Sequence, residues 1–299
     1  MKPLKRRSFL KSSASAAAAS ALSAPCARAE EPAATVVVVH GKDIPKMLEA
    51  GVAKLGGWAA FVKAGAKVTL KPNVAWNSTP EQGGNTHPDL VKACVQAAEK
   101  AGAAKIAIPE NTCHPEKATF KASGVEAALK GSKGRLYRPA KEDYRKVDIP
   151  KGKTVKSASI PADILDCDCL INMPVAKSHS ATGLTLSMKN WMGSVANEDR
   201  RGWHRDGLHQ CIADISTFLK PKLTVIDATR IMLTKGPQGP GDLAHPGEII
   251  LSTDPVAADA YAATLFKKEP FDIGYIKIAH EMGVGCGDLK RIKIERVEA

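Results

Sequence analysis

The sequence predicts an α/β fold: a mostly parallel sheet flanked by helices, with inserted loops or a small cap. Three observations point there. Short apolar runs alternate along the chain with segments whose apolar residues recur at helical spacing, the pattern of strands joined by crossover helices. Several of the runs are apolar throughout, as strands covered on both faces require. Polar residues stand directly after those runs, where open α/β sheets place their ligands. Repeats, heptads and long linkers are missing, so residues 30–299 read as a single domain.

Taken in order, Val36–His40 (VVVVH) reads as a buried strand. Ile44, Met47, Leu48, Val52 and Leu55 mark one face of a helix opened by Asp43. Val68–Leu70 is the second strand and runs into Lys71-Pro72-Asn73. Pro88 opens a helix with the stripe Val91, Cys94, Val95, Ala98 and Ala101; Cys94 on that stripe is a small core residue. Lys105–Ile108 is a strand leading to Pro109-Glu110, and Phe120–Leu129 a short helix. Residues 131–156 are basic, Gly/Pro-punctuated and weakly periodic, which predicts an excursion or a β-ribbon outside the core. Cys169–Asn172 is the next strand and residues 197–207 (NEDRRGWHRDG) a charged loop. Leu208, Ile212, Ile215 and Leu219 make a helix. Leu223–Ile226 is a strand ending at Asp227, and Glu248–Leu251 one ending at Ser252. Pro255 opens a helix to Phe266 capped by Thr253 or Asp254. Asp272–Glu281 is helical, and Leu289–Val297 closes the chain as a strand.

The first 29 residues read as an address. Arg6-Arg7-Ser8-Phe9-Leu10-Lys11 is a twin-arginine export pattern, an Ala/Ser run follows, and Ala27-Arg28-Ala29 is an A-x-A site with cleavage expected after Ala29. The expected location is the periplasm, reached in the folded state through the twin-arginine translocase. No run of about 18 apolar residues offers a stable membrane anchor. Of the formal charge of +12, six positive charges (Lys2, Lys5, Arg6, Arg7, Lys11 and Arg28) belong to this segment, leaving about +6. The remainder is scattered apart from a mild cluster in residues 135–156. With no basic helix interleaved with aromatics, nucleic acid is not an expected partner.

The stretch Asn172–Gly193 (NMPVAKSHSATGLTLSMKNWMG) holds two lysines, two asparagines, a histidine and several hydroxyls directly after a core strand. It resembles the signature of the DUF362 family, a Pro-x-x-Lys-x-His segment followed by Lys-Asn-x-x-Gly: Pro174, Lys177 and His179, then Lys189, Asn190 and Gly193. Two further blocks are similar: Lys71-Pro72-Asn73 with NTHPDLV downstream, and Asp227–Gly241 followed by Ser252–Ala260. The resemblance spans roughly residues 68–266. It implies a family named for its unknown function and brings no reaction with it.

Polar residues at five strand ends, Asn73, Glu110, Asn172, Asp227 and Ser252, can converge on one crevice in a doubly wound sheet. From these and the central stretch, Lys177, His179, Lys189 and Asp227 are the candidate catalytic residues. Lys71, Asn73, Asn172 and Asn190 are the candidate ligand-binding set. Lysines suit oxyanions or, when desolvated, act as bases; His179 and Asp227 suit proton transfer. A small anionic molecule is the expected partner. Asp259, inside an otherwise apolar helix, is expected either to reach solvent or to hold Lys71, Lys177 or Lys189 from below.

The helix N-terminus at Asn85-Thr86-His87-Pro88 offers N–H groups to an anion or serves as an ordinary cap. The Gly/Pro loop Leu233–Gly241 has neither P-loop nor GxGxxG order.

The cofactor is unknown. Neither HExxH, a paired CxxC nor a ferredoxin-type cysteine run occurs, and Cys167-x-Cys169 is explained by alternate residues sharing a strand face. Disulfide pairing among Cys94, Cys113, Cys167, Cys169, Cys211 and Cys286 stays open. Cys113, His114, His179, His204 and His209 leave a loop-built metal site open too, so a second reading stands beside the enzyme: a non-catalytic periplasmic metal- or cofactor-binding protein.

Overall fold

Consecutive β-branched residues resist helix and favour the pleat, and Val36–Val39 form the middle of the first strand, β1 (Ala34–His40). The structure is a computed structural model that describes residues 32–299; the twin-arginine segment and its cleavage site lie outside the described residues. The remaining strands are β2 (Lys67–Pro72), β3 (Lys105–Pro109), β4 (Gly134–Tyr137), β5 (Tyr144–Asp148) and β6 (Ser157–Pro161). Then come β7 (Cys169–Met173), β8 (Val175–His179), β9 (Gly183–Thr185), β10 (Leu223–Met232), β11 (Leu243–Ala244), β12 (Glu248–Ser252) and β13 (Ile292–Glu298).

The main sheet runs β13–β1–β12–β10–β7–β2–β3–β4, with β8 and β11 beside β10 and β9 beside β8; β5 and β6 make a separate ribbon. It is a mixed, mostly parallel sheet, as expected. The exceptions are β12, antiparallel to both β1 and β10, and the short pairings β10–β11 and β8–β9.

Each face of the sheet carries its own apolar layer. On one, helices Ile44–Lys54 and Pro88–Lys100 cover Val37, Val39, Val68, Leu70, Cys169, Ile171, Val225 and Leu251. On the other, helices Leu208–Phe218, Pro255–Thr264 and Gly274–Glu281 cover Val36, Val38, Leu170, Ile226 and Ile250. The alternation along each strand is the period-two rule at work. Each such buried side chain stabilises the fold by about 1.5–3 kcal/mol.

Several expectations give way to tertiary structure. Residues 131–156 do supply the ribbon strand β5, but Gly134–Tyr137 also joins the sheet as its edge strand, parallel to β3. Gly134 can lie there because any Cβ would press on Val95 and Ile108. The helix expected over Phe120–Leu129 becomes two, Glu116–Ala122 and Val125–Ala128, parted at Gly124 with φ 73°. The charged loop 197–207 is helical over Asn197–Asp206. Residues 175–179, expected as loop, continue β7 past Pro174 as β8, and β10 is long enough to pair with both. Cys167 lies outside β7 and packs on the opposite layer from Cys169, so the shared-face reading fails. Among the described residues every cysteine is a free thiol.

Candidate functional site

Three neighbouring parallel strands stop at proline: β2 at Pro72, β3 at Pro109, and β7 one residue before Pro174. A proline has no N–H for the ladder, so the pairing among these three strands stops at about one level and the following side chains are free to turn. The strand order also reverses here, because β3 follows β2 to one side while β7 lies on the other. Over this switch point the β8–β9 hairpin and the short helix Ser187–Asn190 close a cavity of about 550 Å³, a volume suited to a small molecule.

An amide chain sets the polarity of its floor. Asn190 Nδ2 donates to the carbonyl of Lys71 and to Asn172 Oδ1, both at 2.8 Å. That orients its oxygen to accept from Asn73 Nδ2 at 3.1 Å. Asn73 Oδ1 is thereby turned to accept from Lys177 Nζ at 3.1 Å, and Lys177 donates also to the carbonyl of Gly84. Asn172 in turn donates to the carbonyl of Ser187 at 2.8 Å, tying β7 to the short helix above.

Lys177 is fully buried and Lys189 is 7% exposed, yet both line the cavity. Among the described residues Lys189 Nζ has only the Met192 sulfur, at 3.2 Å. Neither ammonium has a carboxylate within ion-pair distance among the described residues. Burial is the main cause that draws Lys177 down to about 7 and Lys189 down to about 8. His179, also on the wall, is pulled down to about 3 by burial and by Lys189 and Lys177 beside it. Its Nδ1 accepts the N–H of Ala181 at 3.1 Å, so the neutral ring presents Nε2–H and serves as a donor at neutral pH.

Below the floor lies an ion pair. Lys71, fully buried, donates to Glu110 at 2.9 Å and to the carbonyl of Pro72 at 2.7 Å. Burial lowers its affinity for the proton, and Glu110 opposes that. Glu110 Oε2 also accepts Val74 N–H at 2.8 Å, while its Oε1 has no hydrogen-bond partner among the described residues. Glu110 reaches the cavity wall; Lys71 does not. Gly193 passes so close that a Cβ there would fall on Glu110 Oε1 and crowd Lys71 Nζ.

The structure thus brings Asn73, Lys177, His179, Lys189 and Asn190 together on one cavity, with Lys71 and Asn172 holding them from behind. Asp227 stands apart. It shares the sheet face of Val225, opposite to Lys71 and Asn172, and its carboxylate accepts from Arg230, Thr229 and the N–H of His87. The donors at the Pro88 helix start therefore serve Asp227 and the ring of His87, which accepts Asp89 N–H.

Ser252 is farther still. β12 runs antiparallel to β10, so its carboxyl end lies at the opposite edge of the sheet, where Ser252 donates to the carbonyl of Thr35 at 2.7 Å. Asp259 meets neither expectation. It is fully buried, and it accepts the N–H groups of Ser187 at 2.7 Å and Met188 at 3.0 Å rather than a lysine. It fixes the first turn of the helix that carries Lys189 and Asn190.

Helix Asn197–Asp206 supplies wall residues of which the sequence reading named only His204. Asn197, Arg200, Arg201 and His204 face the cavity at i, i+3, i+4 and i+7, with Trp203 buried behind. That spacing is a helical face written in polar residues, and it was the available signal. Arg200 also ties Met192 and Asn111 together through their carbonyls at 3.0 and 3.2 Å. Of the histidines and cysteines considered for a metal, Cys113, His179 and His204 reach the cavity, while His114 accepts from Asn77 N–H outside it. Among the described residues no group of three or more His, Cys, Asp or Glu is arranged to hold a metal ion.

Residues 68–264 match the sequence model of a domain of unknown function, DUF362. The chain belongs to the DUF362 family. Residues 3–23 match a twin-arginine translocation pathway signal sequence, and among the described residues no helix is long and apolar enough to cross a membrane. The chain is similar to the thylakoid-associated protein sll1697 of Synechocystis, 24% identical over 242 residues, covering 77% of this chain and 72% of that one.

Among solved structures it is similar to a protein of Thermotoga maritima (TM-score 0.47, 12% identity), with 77% of this chain covered and 60% of that one. It is also similar to the lactate racemase apoprotein of Thermoanaerobacterium thermosaccharolyticum (TM-score 0.43, 10% identity), at 70% and 54%. The chain therefore spans under two thirds of either solved structure. The DUF362 blocks named from sequence put Lys71, Asn73, Lys177, His179, Lys189, Asn190 and Gly193 at or directly beneath the cavity.

Proposed function

We propose that this exported DUF362 protein is an enzyme acting on a small anion, a carboxylate or phosphate, held over the carboxyl ends of β2, β3 and β7. One observation carries the reading. Two buried lysines, Lys177 and Lys189, open on one cavity with no carboxylate paired to either among the described residues, and Arg200 and Arg201 add charge at its wall. Unpaired buried ammonium groups are costly, and an anionic ligand is the group that would relieve them. Lys177 and Lys189 supply the charge and the proton transfer, Asn73 and Asn190 fix orientation, and His179 donates through Nε2–H.

The test is thermal stabilisation across a panel of carboxylates and phosphates, with Lys177→Met and Lys189→Met beside the parent. Members of one anion class should raise the melting temperature of the parent, and each variant should lose most of that rise. A parent protein that no anion stabilises would remove the reading. Binding should weaken as pH climbs through about 7 and about 8, where Lys177 and Lys189 give up their protons.

A further inference from the structure

Below about pH 7 Lys177 meets an anion as the ammonium; once it gives up that proton, the hydrogen bonds at Nζ are those of a complete amine. Two acceptors surround Nζ, Asn73 Oδ1 at 3.1 Å and the carbonyl of Gly84. The first is an acceptor by construction, since the amide chain from Asn190 turns the oxygen of Asn73, not its NH2, toward the lysine. A neutral amine has two N–H bonds, and both are then satisfied, which leaves the nitrogen lone pair as the remaining tetrahedral direction. An ammonium would hold a third N–H with no acceptor among the described residues; the Trp76 ring lies 5.8 Å away, at the limit for a cation–π contact. Lys177 lines the same cavity as Lys189, and both can reach one small molecule.

We propose that Lys177 is a nucleophile that forms an imine with a small 2-oxo carboxylate, with Lys189 as its proton donor and the Arg200–Arg201 wall holding the carboxylate. This rests on the anion-binding reading above and names the substrate class. Lys177 Nζ adds to the ketone carbon, the carbonyl π pair moves to oxygen, and that oxygen takes a proton from Lys189. The attacking nitrogen returns one proton to Lys189, giving a neutral carbinolamine. Lys189 then protonates the hydroxyl, the C–O bond breaks, water leaves, and the nitrogen lone pair closes the C=N bond. The balance is one amine, one ketone and one ammonium converted to one protonated imine, one water and one neutral Lys189 amine. No oxidant, reductant or further reactant enters. The protonated imine keeps one N–H for Asn73 Oδ1 or Gly84, and burial that favours the free amine prepares the lone pair at neutral pH.

The experiment incubates the full mature protein with pyruvate or glyoxylate in the presence of cyanoborohydride, which reduces imines to stable secondary amines. Intact mass and peptide mapping follow, with melting temperatures measured alongside for pyruvate, acetate and inorganic phosphate. The expected result is one reduced adduct per chain, on the peptide containing Lys177, and its loss in Lys177→Arg. Trapping should quicken with pH up to about 7, where Lys177 becomes neutral, opposite in slope to simple anion binding. Stabilisation by pyruvate without an adduct at Lys177 would overturn the imine and leave the anion reading standing. Adducts spread over surface lysines, equal in parent and Lys177→Arg, would overturn it too. Failure of every anion to stabilise or label the protein would remove both. The map of the parent protein locates the adduct without depending on how any variant folds.

Discussion

At the residue scale the site is organised by one asparagine more than by its lysines. Asn190 uses both N–H bonds and its oxygen, and each partner is buried. Asn190→Ala strands the carbonyl of Lys71, Asn172 Oδ1 and Asn73 Nδ2, and unmet buried groups cost about 1–3 kcal/mol each, less than additively. We expect a loss of about 2–4 kcal/mol in urea unfolding, together with lost anion stabilisation. Asn190→Asp should fare no better, because its second oxygen would face two acceptors.

His179 gives a pH signature at the same scale. Its folded value, about 3, lies below its ordinary 6.5, so the folded state binds fewer protons than the unfolded chain between those values. Its contribution is therefore present above 6.5 and lost as pH falls toward 3. His179→Gln should flatten the stability profile across that window. An unchanged slope would mean that the ring stays solvated in the folded state.

At the scale of elements, the helix Asn197–Asp206 divides its labour. Arg200 clamps Met192 and Asn111, whereas Arg201 and His204 stand at the exposed rim. Arg201→Ala should leave stability within about 0.5 kcal/mol and weaken anion binding several-fold at low salt, with the deficit shrinking as salt screens the charge. Gly193→Ala, one turn earlier, should instead cost about 1–3 kcal/mol by forcing the Glu110–Lys71 pair apart.

Much of this was legible in the chain. The apolar runs gave β1, β2, β3, β7 and β12 within a residue or two, and the density of Lys, Asn and His after Asn172 marked the cavity. What period-two and period-3.6 patterns of apolar residues do not carry is direction. Nothing in Glu248–Ser252 says that β12 runs antiparallel, so Ser252 reads as a companion of Asn73 when it is at the other edge. Asp227 was misplaced for a neighbouring reason: β10 runs on to Met232, making Asp227 a mid-strand residue whose face follows Val225. The cavity helix was missed because its stripe is polar.

For the whole molecule, the sheet has two poles with separate duties. The carboxyl ends of β2, β3 and β7 hold the buried lysines. The opposite edge, at the end of β12, is occupied by Asp254. Its Oδ1 caps helix Pro255–Thr264 by accepting Val256 N–H at 2.8 Å and Ala257 N–H at 3.0 Å, and its Oδ2 accepts Cys286 N–H at 2.7 Å. Losing the cap and the third bond in Asp254→Ala should cost about 1–3 kcal/mol, lowering the melting temperature by roughly 2–4 °C per kcal/mol in a chain of this size. Ligand stabilisation depends on ligand concentration over Kd alone, so the rise produced by a bound anion should match that of the parent. Lys189→Met should do the reverse: removing a buried, unpaired charge leaves the baseline equal or higher, and the anion-induced rise disappears. Calorimetric scans of both variants with and without phosphate or acetate measure all four quantities. Loss of the ligand response in Asp254→Ala would mean that helix Pro255–Thr264 couples the poles, through the Asp259 carboxylate that holds Ser187 and Met188.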